Sequence, residues 1–203
     1  MGNNKPINIY SFIPALCLTI VLFFPLFFFI DKAYSKDATL DKKFASIGII
    51  KLAGFLPPAS HDPVDMDGIA VKLSDLKGKI VFINFWTTWC PDCVDEMPDI
   101  ENLHKKLNNN DFIILGIDLK ESKKKVKKFI KKHNLTFKIV LDKKGDMGRA
   151  FGIRSIPTTF ILNRKGGLIG KAMGARNWDN KQSIDLFEYL LENYYQRSVL
   201  RGL

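Results

Sequence analysis

The chain predicts an α/β fold, a mixed β-sheet flanked by helices, on three observations. Ile80–Phe85 and Phe112–Asp118 are short, continuous apolar runs of the kind that form strands buried on both faces. Each is followed by a segment with apolar residues at helical spacing, which makes βαβ units with parallel strands. Thr158–Leu162 and Leu168–Met173, separated by Asn163-Arg-Lys-Gly-Gly167, read as an antiparallel hairpin, so the sheet is mixed.

The N-terminal part stands outside that fold. Ile7 to Ile30 carries no charge and is dominated by Leu, Ile, Phe and Val, a length that spans a bilayer core. Lys5 and the amino terminus precede it, while Asp31, Lys32, Lys36 and Asp37 nearly cancel after it. Positive-inside asymmetry then keeps the N-terminus in the cytoplasm and exports the rest. Ala33-Tyr34-Ser35 has the small-x-small pattern of a signal-peptidase site, but the stretch exceeds the usual ~7–15 residue signal core. The expectation is an uncleaved anchor with the domain on the outer face, and a soluble periplasmic protein is the alternative. Cys17 within it reads as apolar filler. Residues 1–35 are thus anchor or signal, 36–54 a tether, and 55–203 the domain. Leu40, Phe44, Ile47 and Ile50 could pack part of the tether on the domain as a short helix. Pro57, Pro58, Pro63 and the Asp67-Gly68 turn make an extended, turn-rich lead-in.

Within the domain, Ile80–Phe85 runs straight into Cys90 and Cys93. Met97, Ile100, His104 and Leu107 continue at helical spacing, so the cysteines sit where a central strand turns into a helix. After the Phe112–Asp118 strand comes a lysine-rich helix ending near His133, then a strand from Phe137 to Leu141. Beyond the hairpin a last helix runs from about Asp179 to Tyr195.

The formal charge of +10 raises the question of a nucleic-acid partner. The surplus is concentrated between Lys120 and Lys132, where Val126, Phe129, Ile130 and His133 recur at helical spacing, so it reads as a solvated helix face. No nucleic-acid partner is expected, and attraction to anionic lipid is a milder reading.

Three cysteines are too few to staple a small domain, so the Cys90/Cys93 pair is chemical rather than architectural. At a helix start the first cysteine faces unpaired backbone N–H groups, which stabilise a thiolate. Cys90 is the expected nucleophile, and Cys93, one turn in, the resolving thiol. Zinc wants four ligands, and with no second cysteine pair only His61, His104 and His133 could help, so no metal and no cofactor beyond the redox-active pair are expected. Glu96 lies three residues after Cys93 on one helix face, where a half-buried carboxylate could shuttle a proton or raise the thiol pKa values. Asp92 between the cysteines would also disfavour a thiolate. Trp86 and Trp89 could shield the site, with core packing an equal account of Trp86.

Asn84-Phe-Trp-Thr-Thr-Trp-Cys-Pro-Asp-Cys-Val-Asp-Glu-Met-Pro98 resembles the active-site stretch of the TlpA/ResA-like thiol-disulfide oxidoreductases, in the thioredoxin superfamily. The resemblance covers most of Leu73 to Leu191 and includes Leu73-Ser-Asp-Leu-Lys-Gly-Lys79 before the central strand and Gly174-Ala-Arg-Asn-Trp178-Asp before the last helix. It implies a thioredoxin-like fold and carries family roles to Trp89, Cys90, Cys93, Glu96 and Pro157. Ile156-Pro157-Thr158-Thr159-Phe160 is similar to the loop bearing the superfamily's cis-proline. That makes Ile156 and Pro157, with Trp89, the expected edge for an extended substrate. The implied partners are exported proteins bearing disulfides, apocytochromes c for example, and a membrane thiol-transfer protein as electron donor.

Three rival readings each fit part of the sequence. Thr87-Thr-Trp-Cys90 has the T-x-x-C spacing of a peroxiredoxin, but Ile83 stands where that family has proline. A copper-binding assembly protein would space its cysteines one residue wider and add a late histidine, whereas the last here is His133. A structural or partner-binding module would leave the reduced protein inert toward a model disulfide.

Overall fold

The fold is built outward from one strand that has no solvent face. In the computed structural model, which describes residues 38–54, 62–107 and 110–199, strand β3 (Ile80–Trp86) is buried at all seven positions. It lies at the centre of a seven-stranded sheet whose order is β1 (Ile50–Gly54), β7 (Leu168–Met173), β6 (Thr158–Leu162), β3, β4 (Phe112–Leu119), β5 (Lys138–Asp142) and β2 (Val64–Asp65). On one side β4 (Phe112–Leu119) and β5 (Lys138–Asp142) run parallel to it, as right for strands joined through helices. On the other, β6 (Thr158–Leu162) and β7 (Leu168–Met173) are antiparallel, which makes the sheet mixed as the hairpin predicts.

Helix α2 (Pro91–Lys106) follows β3, α3 (Lys123–His133) follows β4, and α5 (Lys181–Val199) closes the chain. The helix after the cysteines starts two residues earlier than apolar spacing suggests, because Pro91 occupies a first-turn position that needs no N–H donor. The last helix starts at Lys181 rather than Asp179, since the Asn180 side chain accepts from Ser183 N–H at 2.8 Å and caps it. The short α4 (Asp146–Ala150) escapes sequence reading, being too brief to show a period.

The chain divides into two units, 1–42 and 43–203. Of the first, residues 38–42 are described and are helical, part of α1 over residues 38–46. The apolar stretch Ile7–Ile30 lies outside the described residues. Among those described, no helix is long and apolar enough to cross a membrane.

The second unit recruits part of what composition assigns to a tether. β1 (Ile50–Gly54) pairs antiparallel with β7 at the sheet edge. Phe44 and Ile49 are buried over Gly170 of β7, where an added Cβ would lie 2.9 Å from Ile49 Cγ2 and 3.2 Å from Phe44 Cζ. A larger residue at 170 would push both off the sheet. At the opposite edge, β2 (Val64–Asp65) pairs with β5, and Asp65 Oδ1 accepts from Asp67 and Ile69 N–H groups across the Asp67-Gly68 turn.

The core lies on both faces of β3. Phe85 packs among Phe151 and Phe160, and Phe82 meets Trp178 edge-on at 4.8 Å between ring centroids. Trp86 is fully buried against Phe129 of α3, so it belongs to the core.

Candidate active site

At the end of β3 the chain turns once and enters α2, and the turn holds the cysteines. Cys90 is the N-cap of α2, with Cys93 N–H directed at its sulfur at 3.3 Å. That donor is one of the orphan amides of a helix start, and with the helix dipole it favours negative charge on Cys90. Cys90 and Cys93 form a disulfide. Cys93 is completely buried, whereas Cys90 retains 6% exposure, so any partner sulfur reaches Cys90 first.

Across from Cys90 runs the loop before β6. The Ile156–Pro157 bond is cis, and the Ile156 carbonyl oxygen lies 3.8 Å from Cys90 Sγ. The loop is fastened by Gly174 N–H donating to Pro157 O at 2.9 Å and by Thr158 Oγ1 donating to Ser155 O at 2.7 Å. Trp89 stands 65% exposed beside the pair, an unusual position for so large an aromatic and one fit for contact with another molecule. The structure therefore brings Trp89, Cys90, Cys93, Ile156 and Pro157 together.

Glu96 departs from expectation in degree. It is not half-buried but 2% exposed, in a cage of donors. Asn84 Nδ2 donates to Oε1 at 2.7 Å, while Trp178 Nε1 at 3.0 Å and Arg176 backbone N–H at 3.3 Å donate to Oε2. Burial pushes its carboxyl from 4.5 up to about 7, against the downward pull of these hydrogen bonds. The cage holds the anion well enough that the group exchanges a proton near neutral pH, one helical turn from Cys93.

Sequence reasoning missed the cage. Asn84 is a lone polar side chain in a strand otherwise apolar, and that contrast was the available signal, since a buried amide needs partners. It also donates to Thr159 Oγ1 at 3.0 Å.

Arg176 shows no such contrast, and its signal was its place in the Gly174-Ala-Arg-Asn-Trp178-Asp stretch of the resemblance. Its guanidinium donates to four backbone carbonyls, Ile47 at 2.9 Å, Gly48 at 2.8 Å, Met173 at 3.0 Å and Gly174 at 2.9 Å, and so fixes the loop whose amide reaches Glu96. Arg176→Ala is expected to destabilise the domain by about 2–4 kcal/mol, several charge-assisted bonds being lost at once. Urea unfolding would check it, a change below about 0.5 kcal/mol showing that water replaces the guanidinium.

A second acid group braces the turn before Cys90. Glu121 accepts from Thr88 N–H at 2.6 Å and Thr88 Oγ1 at 2.9 Å, and pairs with Lys125. Burial raises its pKa, but the bonds from Lys125 and Thr88 outweigh that and hold it below the usual value. Neighbouring Asp118 is fully buried, and burial, followed by the side chain of Glu121 as hydrogen-bond partner and as charge, pushes it up to about 8.

A mixed sheet of this order with a Cys-x-x-Cys pair capping the helix after its central strand, opposite a cis-proline loop, defines a thiol-disulfide oxidoreductase of the thioredoxin type. The solved structures agree. StoA from Bacillus subtilis is 29% identical with a TM-score of 0.54, covering 65% of this chain and 98% of that one. A thiol:disulfide interchange protein of the thioredoxin family from Chlorobium tepidum is 28% identical with a TM-score of 0.57, covering 70% and 99%. The chain is 36% identical to the thiol-disulfide oxidoreductase ResA of Bacillus thuringiensis subsp. konkukian, over 62% of its own length and 70% of the relative's. Residues 56–170 match the AhpC/TSA family, and the chain belongs to it.

Proposed function

We propose that the protein is an extracytoplasmic disulfide reductase, held at the cytoplasmic membrane by Ile7–Ile30, that keeps thiols of exported proteins reduced. The observation that carries the reading is the buried Glu96 beside the pair, with a carboxyl at about 7. In the reduced protein the Cys90 thiolate attacks a substrate disulfide. A bond forms between Cys90 Sγ and one substrate sulfur, and the other leaves as thiolate. Cys93 then gives its proton to the Glu96 carboxylate and attacks Cys90 Sγ, forming the Cys90–Cys93 disulfide and releasing the second substrate thiolate. Glu96 returns the proton to a departing sulfur. Trp89, Ile156 and Pro157 supply the surface on which the substrate chain lies. In this proposal electrons return from a membrane thiol-transfer protein, and apocytochromes c are among the substrates.

The direction follows from charge. Glu96, one turn along α2 from Cys93, and Asp92, between the cysteines in the chain, add negative charge to the start of this helix and disfavour the dithiolate form, which holds the pair away from strongly oxidising behaviour. The expected Cys90–Cys93 reduction potential is below roughly −200 mV, and a value near −120 mV, typical of a strong periplasmic oxidant, would reverse the direction. Equilibration with glutathione or dithiothreitol buffers measures it.

A further inference from the structure

A groove of about 420 Å³ opens beside the pair, and its walls carry an imbalance of charge. Trp89 and Ile156 form its end nearest Cys90, and Lys120, Arg149 and Arg154 line the remainder, with Glu121 as its one carboxylate. Glu121 is already committed to Thr88 and Lys125. Arg149 is balanced by Asp146, but Lys120 and Arg154 are exposed and make no ion pair among the described residues. Two uncompensated cations therefore face the space that a chain crossing Ile156 toward Cys90 would occupy.

Lys120 is held there at a local cost. Its backbone is left-handed, φ 63°, a conformation in which glycine would be easier. Its aliphatic chain lies along Gly145, where even a Cβ would collide with it. The absence of a side chain at Gly145 thus makes room for the lysine stem and sends the ammonium along the groove wall.

We infer that this groove selects polypeptide disulfides with an acidic side chain flanking the reacting cysteine, and that Lys120 and Arg154 are the specificity residues. The inference rests on the reductase reading above and names its substrate class. A carboxylate on the incoming segment meets the two cations as the segment lies over Ile156, which holds its sulfur near Cys90 Sγ. A basic segment in the same place is repelled.

The test uses the reduced full chain and three disulfide-bonded peptides that differ only in flanking Glu, Gln or Lys. At low salt the Glu peptide should be reduced about five-fold faster than the Gln peptide and the Lys peptide slowest, the size expected of exposed charge pairs, with the ratio shrinking at high salt. Lys120→Glu with Arg154→Glu should invert the order, and Lys120→Gln with Arg154→Gln should bring the three rates together. The ratio between peptides is the readout, so a general loss of activity does not imitate it. Equal rates for the Glu and Gln peptides in the unaltered protein, or a preference that survives both double variants, would overturn the assignment. Failure to reduce any of the three overturns the reductase reading itself.

Discussion

Serine at Cys90 is expected to abolish disulfide exchange, by at least about 10³-fold, whereas serine at Cys93 is expected to preserve attack and remove resolution. The asymmetry follows from position. Cys90 caps α2 with an amide donor on its sulfur and keeps some exposure, while Cys93 has none. Cys93→Ser should therefore accumulate mixed disulfides with partner proteins, seen as high-mass bands that vanish with reductant and identified by mass spectrometry. Equal trapping by both variants, or trapping by Cys90→Ser alone, would contradict the order of attack.

Glu96→Gln should change two pH dependences together. The first is reactivity. With the carboxylate gone, the apparent thiol pKa falls, and resolution loses its proton acceptor, slowing roughly 10²-fold near pH 7. Alkylation and stopped-flow exchange across pH would read both, and unchanged profiles would make Glu96 purely structural. The second is stability. The folded pKa of about 7 lies above the unfolded 4.5, so between these values the folded state binds more protons than the unfolded one. Stability from this group is full below about pH 4.5 and is lost as pH rises through about 7, an order of 3 kcal/mol for a shift of this size. The variant should lack that slope. It should fold, because Asn84 Oδ1 has no hydrogen-bond partner among the described residues and a turned amide would accept from the new glutamine N–H while Trp178 still donates to its oxygen.

What the sequence made legible was whatever is local or periodic. β3, β4, β6, β7 and the two long helices before β5 follow from apolar runs and helical spacing, and the cysteine pair from its place between β3 and α2. Pieces that depend on distant parts of the chain were not legible. β1 is mostly exposed and only five residues long, too short to show an alternation, and it is a strand only because β7 offers an open edge. Glu96 could be placed near Cys93 from spacing alone, but not its enclosure, which needs Asn84 from β3 and Trp178 from beyond β7. The cations of the groove come from the ends of β4, α4 and the cis-proline loop, so no window of sequence shows them as a group.

The contacts of Arg176 bear on where a functional fragment can begin. Cutting the chain at residue 55, where composition places the domain boundary, would remove β1 and the Ile47 and Gly48 carbonyls that the guanidinium holds. The loss would not stay at the edge of the sheet, because the same residue's backbone N–H is one of the donors on the Glu96 carboxylate. The segment leading into the domain is thus a fastening for the proton-bearing group, and a recombinant piece meant to report on the chemistry has to start upstream of Phe44.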